Sequence, residues 1–208
     1  MNPTLGETVV VIGLGLLGIL TSQLLKANGC KVIGIDLDTE RLKLALNHGM
    51  DIALDPKSED YHDQVMRLTD GFGADGIIIT AASSSDEIIS SAFKICRKKG
   101  RVVIVGDVGL NLNREDFYLK EIDVLISTSY GPGRYDKEYE DEGLDYPISY
   151  VRWTENRNMS EYIRLLSENI IDVKNMISSV YSINDAVKAY DSILMNNDLN
   201  PLLVLLSY

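Results

Sequence analysis

Cysteine is almost missing from this 208-residue chain, with Cys30 and Cys96 standing alone and no CxxC pair. Two isolated thiols exclude a disulfide framework and any zinc site built on paired cysteines. Each lies in or beside an apolar stretch, where a small buried thiol is expected. Histidine is equally scarce. His48 and His62 are the whole supply, and no set of Cys, His and Glu has zinc-ligand spacing, so no metal site is expected. His48 reads as a helix-end residue and His62 as a surface residue. Basic residues are outnumbered, 20 Lys and Arg against 31 Asp and Glu, for a formal charge of −11. That balance argues against nucleic acid as a partner. The densest basic stretch, KICRKKGR at 94–101, reads as a helix end complementing its own dipole. No apolar run approaches the ~20 residues of a membrane span, and no basic region precedes a secretory-type core. A cytoplasmic protein without membrane contact is expected.

What is present is concentrated at the start. Residues 8–18 read TVVVIGLGLLG, and Asp36 closes the next apolar run, KVIGID. A β-branched strand thus runs into Gly13, Leu14, Gly15, Leu16, Leu17 and Gly18, where a helix opens. In such a loop the first glycine permits a tight turn and the second lets backbone approach a pyrophosphate. The third lets helix and strand pack closely. The free N–H groups and positive end of the helix face the phosphates. A carboxylate at the end of the second strand, as Asp36 is, can accept from both adenosine ribose hydroxyls and repels a 2′-phosphate. The pattern predicts NAD as cofactor. A tight turn kept for packing would explain the glycines but not the acid.

Strand-like and helix-like segments then alternate. Strands are predicted at 8–13, 31–36, 51–54, 75–80, 101–105 and 122–127. Helices are predicted at 16–27, 39–47, 59–69 and 86–97, the last capped by Ser85 or Asp86, with a short helical segment near 114–119. The runs VVVI, GIIIT and VVIV are apolar throughout rather than alternating, as a sheet covered on both faces requires. The fold class is therefore α/β, a doubly wound parallel (Rossmann) sheet with its ligand at the carboxyl ends of the strands. Residues 128–150 are rich in Gly, Tyr and acid and lack periodicity. Within them Tyr130, Gly131, Gly133, Arg134 and Tyr135 could serve a substrate or a partner, and the acids of 136–142 read as a solvated face. A helix near 156–168 follows, then a strand near 176–181, a helix at 183–195 and a last apolar strand. The division expected is 1–150 for the dinucleotide-binding domain and 151–208 for a C-terminal segment with a strand-helix-strand tail.

The runs GLGLLG, IDLDTERLKLALNHGMDIALDP and FGADGIIITAASSSDEIISSAFKICRKKGRVVIVG resemble the cofactor domain of the medium-chain, zinc-type alcohol dehydrogenases. SSVYSINDAVKAYDSILMNNDLNPLLVLL resembles that family's closing segment. The stretch from TSYGPGRYD to YVRWTENRN is similar to bacterial bi-domain oxidoreductases of surface-polysaccharide loci. The resemblance implies an oxidoreductase module that binds NAD(H), with pyrophosphate contacts at 13–18 and a ribose contact at Asp36. It implies a basic residue near that ribose at Arg41, and strand ends Ala81, Gly106 and Ser127 to Tyr130 lining the path to the nicotinamide. It also implies a partner, the N-terminal domain that carries zinc and proton relay in the family and has no counterpart in this sequence. Residues 170–208 would then leave an apolar patch exposed and favour self-association.

Other dehydrogenase chemistries fit less well. None of the 11 tyrosines is followed four residues later by lysine, and no histidine lies beyond His62. Nothing in the chain is placed to polarise a carbonyl or take an alcohol proton. A non-catalytic NAD(H)-sensing domain stays open as the alternative, because the loop and Asp36 serve both functions equally.

Overall fold

The computed structural model describes residues 1–58, 60–194 and 201–208. They form two compact units, Met1–Ile170 and Ile171–Tyr208. In the first, strand β1 (Thr8–Ile12) leads into helix α1 (Leu16–Ala27), β2 (Lys31–Ile35), α2 (Thr39–Asn47) and β3 (Ile52–Leu54). Helix α3 (Tyr61–Leu68), β4 (Ala74–Ile79), α4 (Glu87–Ile95), β5 (Cys96–Ile104), the turn-long α5 (Arg114–Phe117) and β6 (Asp123–Ile126) follow. The six strands pair in the order β3-β2-β1-β4-β5-β6, every pair parallel. The expected α/β doubly wound sheet is thus present. Strand order reverses between β1 and β4, the place where doubly wound sheets form a ligand crevice at the strands' carboxyl ends.

The unbroken apolar runs explain the layering. Val9, Val10 and Val11 of β1 and Ile77 and Ile79 of β4 are fully buried, since helices cover both faces of the sheet. Ile89, Ala92 and Phe93 recur at helical spacing on α4 and bury that helix's inner face. Both cysteines are buried. Burial pushes the Cys96 thiol up to about 11, so it packs as a small apolar group.

Most predicted elements lie within two residues of the observed ones, although residue 59, where one helix was expected to begin, lies outside the described residues. The basic stretch departs furthest. Helix α4 ends at Ile95 and β5 begins at Cys96, so most of 94–101 is strand. Only Lys94 lies in the last turn of α4; the other charges serve the strand and its neighbours. Arg97 pairs with Asp75 at 2.7 Å, and Lys98 and Lys99 both reach Glu121. The α4 carboxyl end is capped from elsewhere. Lys120 Nζ donates to the carbonyls of Phe93, Lys94 and Cys96 at 2.6–2.9 Å. Sequence periodicity sees local charge but not a cation delivered from a later turn.

After β6 the unit continues through residues 128–150, which contain only one helical turn, α6 (Lys137–Glu140), and ends with α7 (Glu155–Ser167). In the second unit, β7 (Ile177–Ser182) pairs in parallel with β8 (Leu203–Ser207), and α8 (Ala186–Leu194) lies between them in sequence. Residue 195, the expected end of that helix, lies outside the described residues. Ile171, Met176 and Ala189 are buried, while Val180, Val187, Tyr190, Ile193 and Leu194 are exposed.

Candidate dinucleotide site

At the carboxyl end of β1 the chain makes a tight turn. Gly13 has φ +95, and a Cβ there would lie 2.5 Å from the Ala81 nitrogen. A Cβ on Gly18 would lie 1.9 Å from the Gly13 carbonyl oxygen. Both glycines are therefore demanded by the fold itself. Gly15 is different. Its φ is negative, and the nearest atom to an added Cβ is Arg41 Nη1 at 4.0 Å. Nothing in the chain requires glycine at 15, yet it is the residue from which α1 starts.

That start has no side-chain cap. The N-cap residues of α3, α4 and α7 likewise make no side-chain cap, whereas Asp38, Asn113 and Asp136 cap α2, α5 and α6 with their side chains. The first N–H groups of α1, with the positive end of its dipole, face the crevice. Leu16 and Leu17 open the helix, with Leu17 exposed.

Asp36 follows the last residue of β2. Its Oδ2 accepts from the Leu14 N–H at 2.5 Å and its Oδ1 from the Asp38 N–H at 2.9 Å. Asp38 in turn accepts from Glu40 and Arg41 at the head of α2, and its carboxylate stands 3.8 Å from Arg41 Nε. The structure thus brings Gly13, Leu14, Gly15, Asp36 and Arg41 together at the carboxyl ends of β1 and β2. Ala81 and Gly106 meet at the ends of β4 and β5, where a Cβ on Gly106 would strike the Ala81 carbonyl. Ser127 lies at the end of the edge strand, donating its N–H to Ile104.

Sequence reasoning passed over Thr80. Its hydroxyl donates to the Gly13 carbonyl at 2.5 Å and lies 3.1 Å from that of Ile12, fixing the turn from the neighbouring strand. A threonine closing the run GIIIT was the available signal. The acids of 136–142 are more than a solvated face. Asp136 accepts from the Tyr146 hydroxyl, and Glu140 pairs with Arg134 at 2.5 Å. The Arg134 guanidinium lies 5.3 and 4.5 Å from the ring centres of Tyr130 and Tyr135. It also helps to line a cavity of about 470 Å³ with Tyr139, Asp145, Glu155, Asn156 and Met159. His62 is likewise no plain surface residue. Its Nε2 lies 2.6 Å from Ser91 Oγ, and Tyr61 shares the same hydroxyl.

Residues 17–144 match the family described as zinc-binding dehydrogenase. The chain belongs to that family. It is 28% identical to D-arabitol-phosphate dehydrogenase of Enterococcus avium over 94% of this chain and 49% of that protein. With sorbitol dehydrogenase of Halalkalibacterium halodurans it shares 30% identity over 90% of this chain and 49% of that one. Among solved structures, Bacillus subtilis 2R,3R-butanediol dehydrogenase superposes with a TM-score of 0.77 at 19% identity, over 100% of this chain and 52% of that one. An Escherichia coli CFT073 alcohol dehydrogenase complexed with NADH gives 0.75 at 22%, over 99% and 53%. These structures establish a shared fold. The chain spans about half the length of the curated relatives it matches. Among the described residues no three His, Cys, Asp or Glu side chains are grouped to hold a metal, and no helix is long and apolar enough to cross a membrane.

Proposed function

We propose that this oxidoreductase-family module binds NAD(H) and presents its nicotinamide to chemistry completed by a catalytic domain outside this sequence. Gly15 carries the proposal. A glycine with no packing reason, at the head of an uncapped helix, leaves the open approach that a pyrophosphate needs. Asp36 beside it supplies acceptors for the ribose hydroxyls and disfavours a 2′-phosphate. Arg41 stands by the same loop, and Ala81, Gly106 and Ser127 mark the path toward the nicotinamide. The relatives support the reading, one of them named as an NAD-dependent alcohol dehydrogenase and another solved with NADH. The exposed apolar residues of 171–208 are then the surface that the other half of such an enzyme covers.

The chain's own residues bind and orient the cofactor. Among the described residues no group of three His, Cys, Asp or Glu side chains could hold the metal that the family name implies.

The test is a calorimetric titration of the chain with NADH and with NADPH, repeated on Gly15→Ala. NADH is expected to bind at least about tenfold tighter than NADPH, and Gly15→Ala to weaken NADH about tenfold or more, about 1.4 kcal/mol. Absence of NADH binding, or equal affinity for the two cofactors, overturns the proposal.

A further inference from the structure

We infer that Asp36 is a positioning residue for the glycine loop, holding its backbone ready for a pyrophosphate before any ligand arrives. The ligand's identity rests on the NAD(H) reading above; the positioning itself does not. The observation is the last rung of the sheet. Strands β1 and β2 pair to the register Ile12 with Ile35, and the Gly13 N–H still finds the Ile35 carbonyl at 2.8 Å. One residue further, β2 has ended and its backbone offers Leu14 nothing. The Asp36 carboxylate takes that place, accepting the Leu14 N–H at 2.5 Å. A side chain thus extends the ladder by one rung, into the loop itself.

The surroundings make this rung matter. Leu14 is fully buried, so its N–H has no water to fall back on if the acceptor is lost. The carboxylate's other oxygen is held by the Asp38 N–H, which prevents it from swinging away. A carboxylate offers about four lone-pair directions. The two bonds described occupy one on each oxygen and leave one on each for a ribose hydroxyl. Both tasks can therefore be performed at once, and the ribose contact is mechanically joined to the loop that cradles the phosphates.

Simple electrostatics and positioning predict opposite signs, which makes the idea testable. Removing a carboxylate near a bound anion should tighten that anion. Removing a brace on the loop should loosen it. The probes are inorganic pyrophosphate, which has no ribose, and adenosine, which has no phosphate, each titrated into wild type, Asp36→Ala and Asp36→Asn. Positioning predicts that Asp36→Ala weakens pyrophosphate by about fivefold, while Asp36→Asn, whose single amide oxygen can still accept from Leu14 but whose NH2 then faces the Asp38 N–H, recovers part of that loss. Adenosine should weaken in both variants. Alongside, exchange of the Leu14 amide is followed by NMR in the free protein. It should run about tenfold faster in Asp36→Ala and return toward wild type in Asp36→Asn. An unchanged Leu14 amide in Asp36→Ala overturns the inference. So does pyrophosphate binding that holds or tightens in that variant. If wild type binds neither NADH nor pyrophosphate, the cofactor reading falls, and the amide exchange still decides the positioning role.

Discussion

The sheet of the first unit and the strand pair of the second are both parallel, and they meet the same demand unequally. Parallel strands are apolar on both faces and need cover on both. In the first unit each central strand has it. β1 and β4 are flanked by paired strands, and their side chains disappear beneath helices. The second unit spans 38 residues, and its described residues form two strands, one α-helix and two 3-10 turns, little with which to close a core unaided. Val187, Tyr190 and Leu194 of α8 are 62–76% exposed, whereas Ala189 on the same helix is 3% exposed. Parallel strands with helices thus make a finished core in one place and leave large apolar side chains exposed in the other.

Truncating one large side chain in each unit puts that contrast to the test. Phe93, with no exposed area, packs on Phe117 at a ring distance of 5.1 Å. Phe93→Ala should cost about 4 kcal/mol and lower Tm by roughly 8–16 °C. Leu194→Ala should change stability by less than about 0.5 kcal/mol. Urea and thermal unfolding measure both. A comparable loss at Leu194 would mean that its face is covered in solution, and the contrast between the units would collapse.

Within the first unit, a smaller effect separates the glycines that build the turn from the one left open. Gly18→Ala forces a Cβ against the Gly13 carbonyl oxygen and should cost about 2–3 kcal/mol. Gly15→Ala meets nothing closer than 4.0 Å and should cost under about 1 kcal/mol, as a change of helix N-cap residue. Equal costs at the two positions would remove the case for a ligand-facing glycine.

How far the sequence could be read follows the same division. The six strands and the crevice were legible because continuous apolar runs and a glycine loop are local signals with one structural meaning. Asp36 was legible as a candidate from its place after the second strand. Its bond to Leu14 was not, because the meeting of residues 22 apart depends on where β2 stops. The Lys120 cap on α4 and the Thr80 bond to Gly13 were hidden for the same reason. Each is a long-range contact made by a residue type common on any surface. The internal ties of 130–158 escaped because that segment has no periodicity for a pattern to fill. Its order comes instead from pairs such as Arg157, whose guanidinium reaches Asp145 and the Tyr146 carbonyl at 2.6 Å.

The smallest expected effect concerns His62, which joins α3 to α4 on the covered side of the first unit. Burial, with the nearby charge of Lys94, lowers its pKa below the ordinary 6.5, against a weaker opposing pull from Asp63. The unfolded chain therefore takes up the proton first as pH falls. The stability that neutral His62 contributes is complete above the unfolded pKa and declines below it, as protons favour the unfolded state. Partial exposure keeps the change below about 1 kcal/mol. Carboxylates titrate over part of the same range, so the measurement is a difference of differences: urea unfolding at pH 7.5 and 5.5 for wild type and His62→Gln. Wild type should lose more stability than the variant on acidification. Identical losses would show that the α3–α4 contact holds a charged imidazole as readily as a neutral one. The hydrogen bond to Ser91 would then pack the two helices without sensing pH.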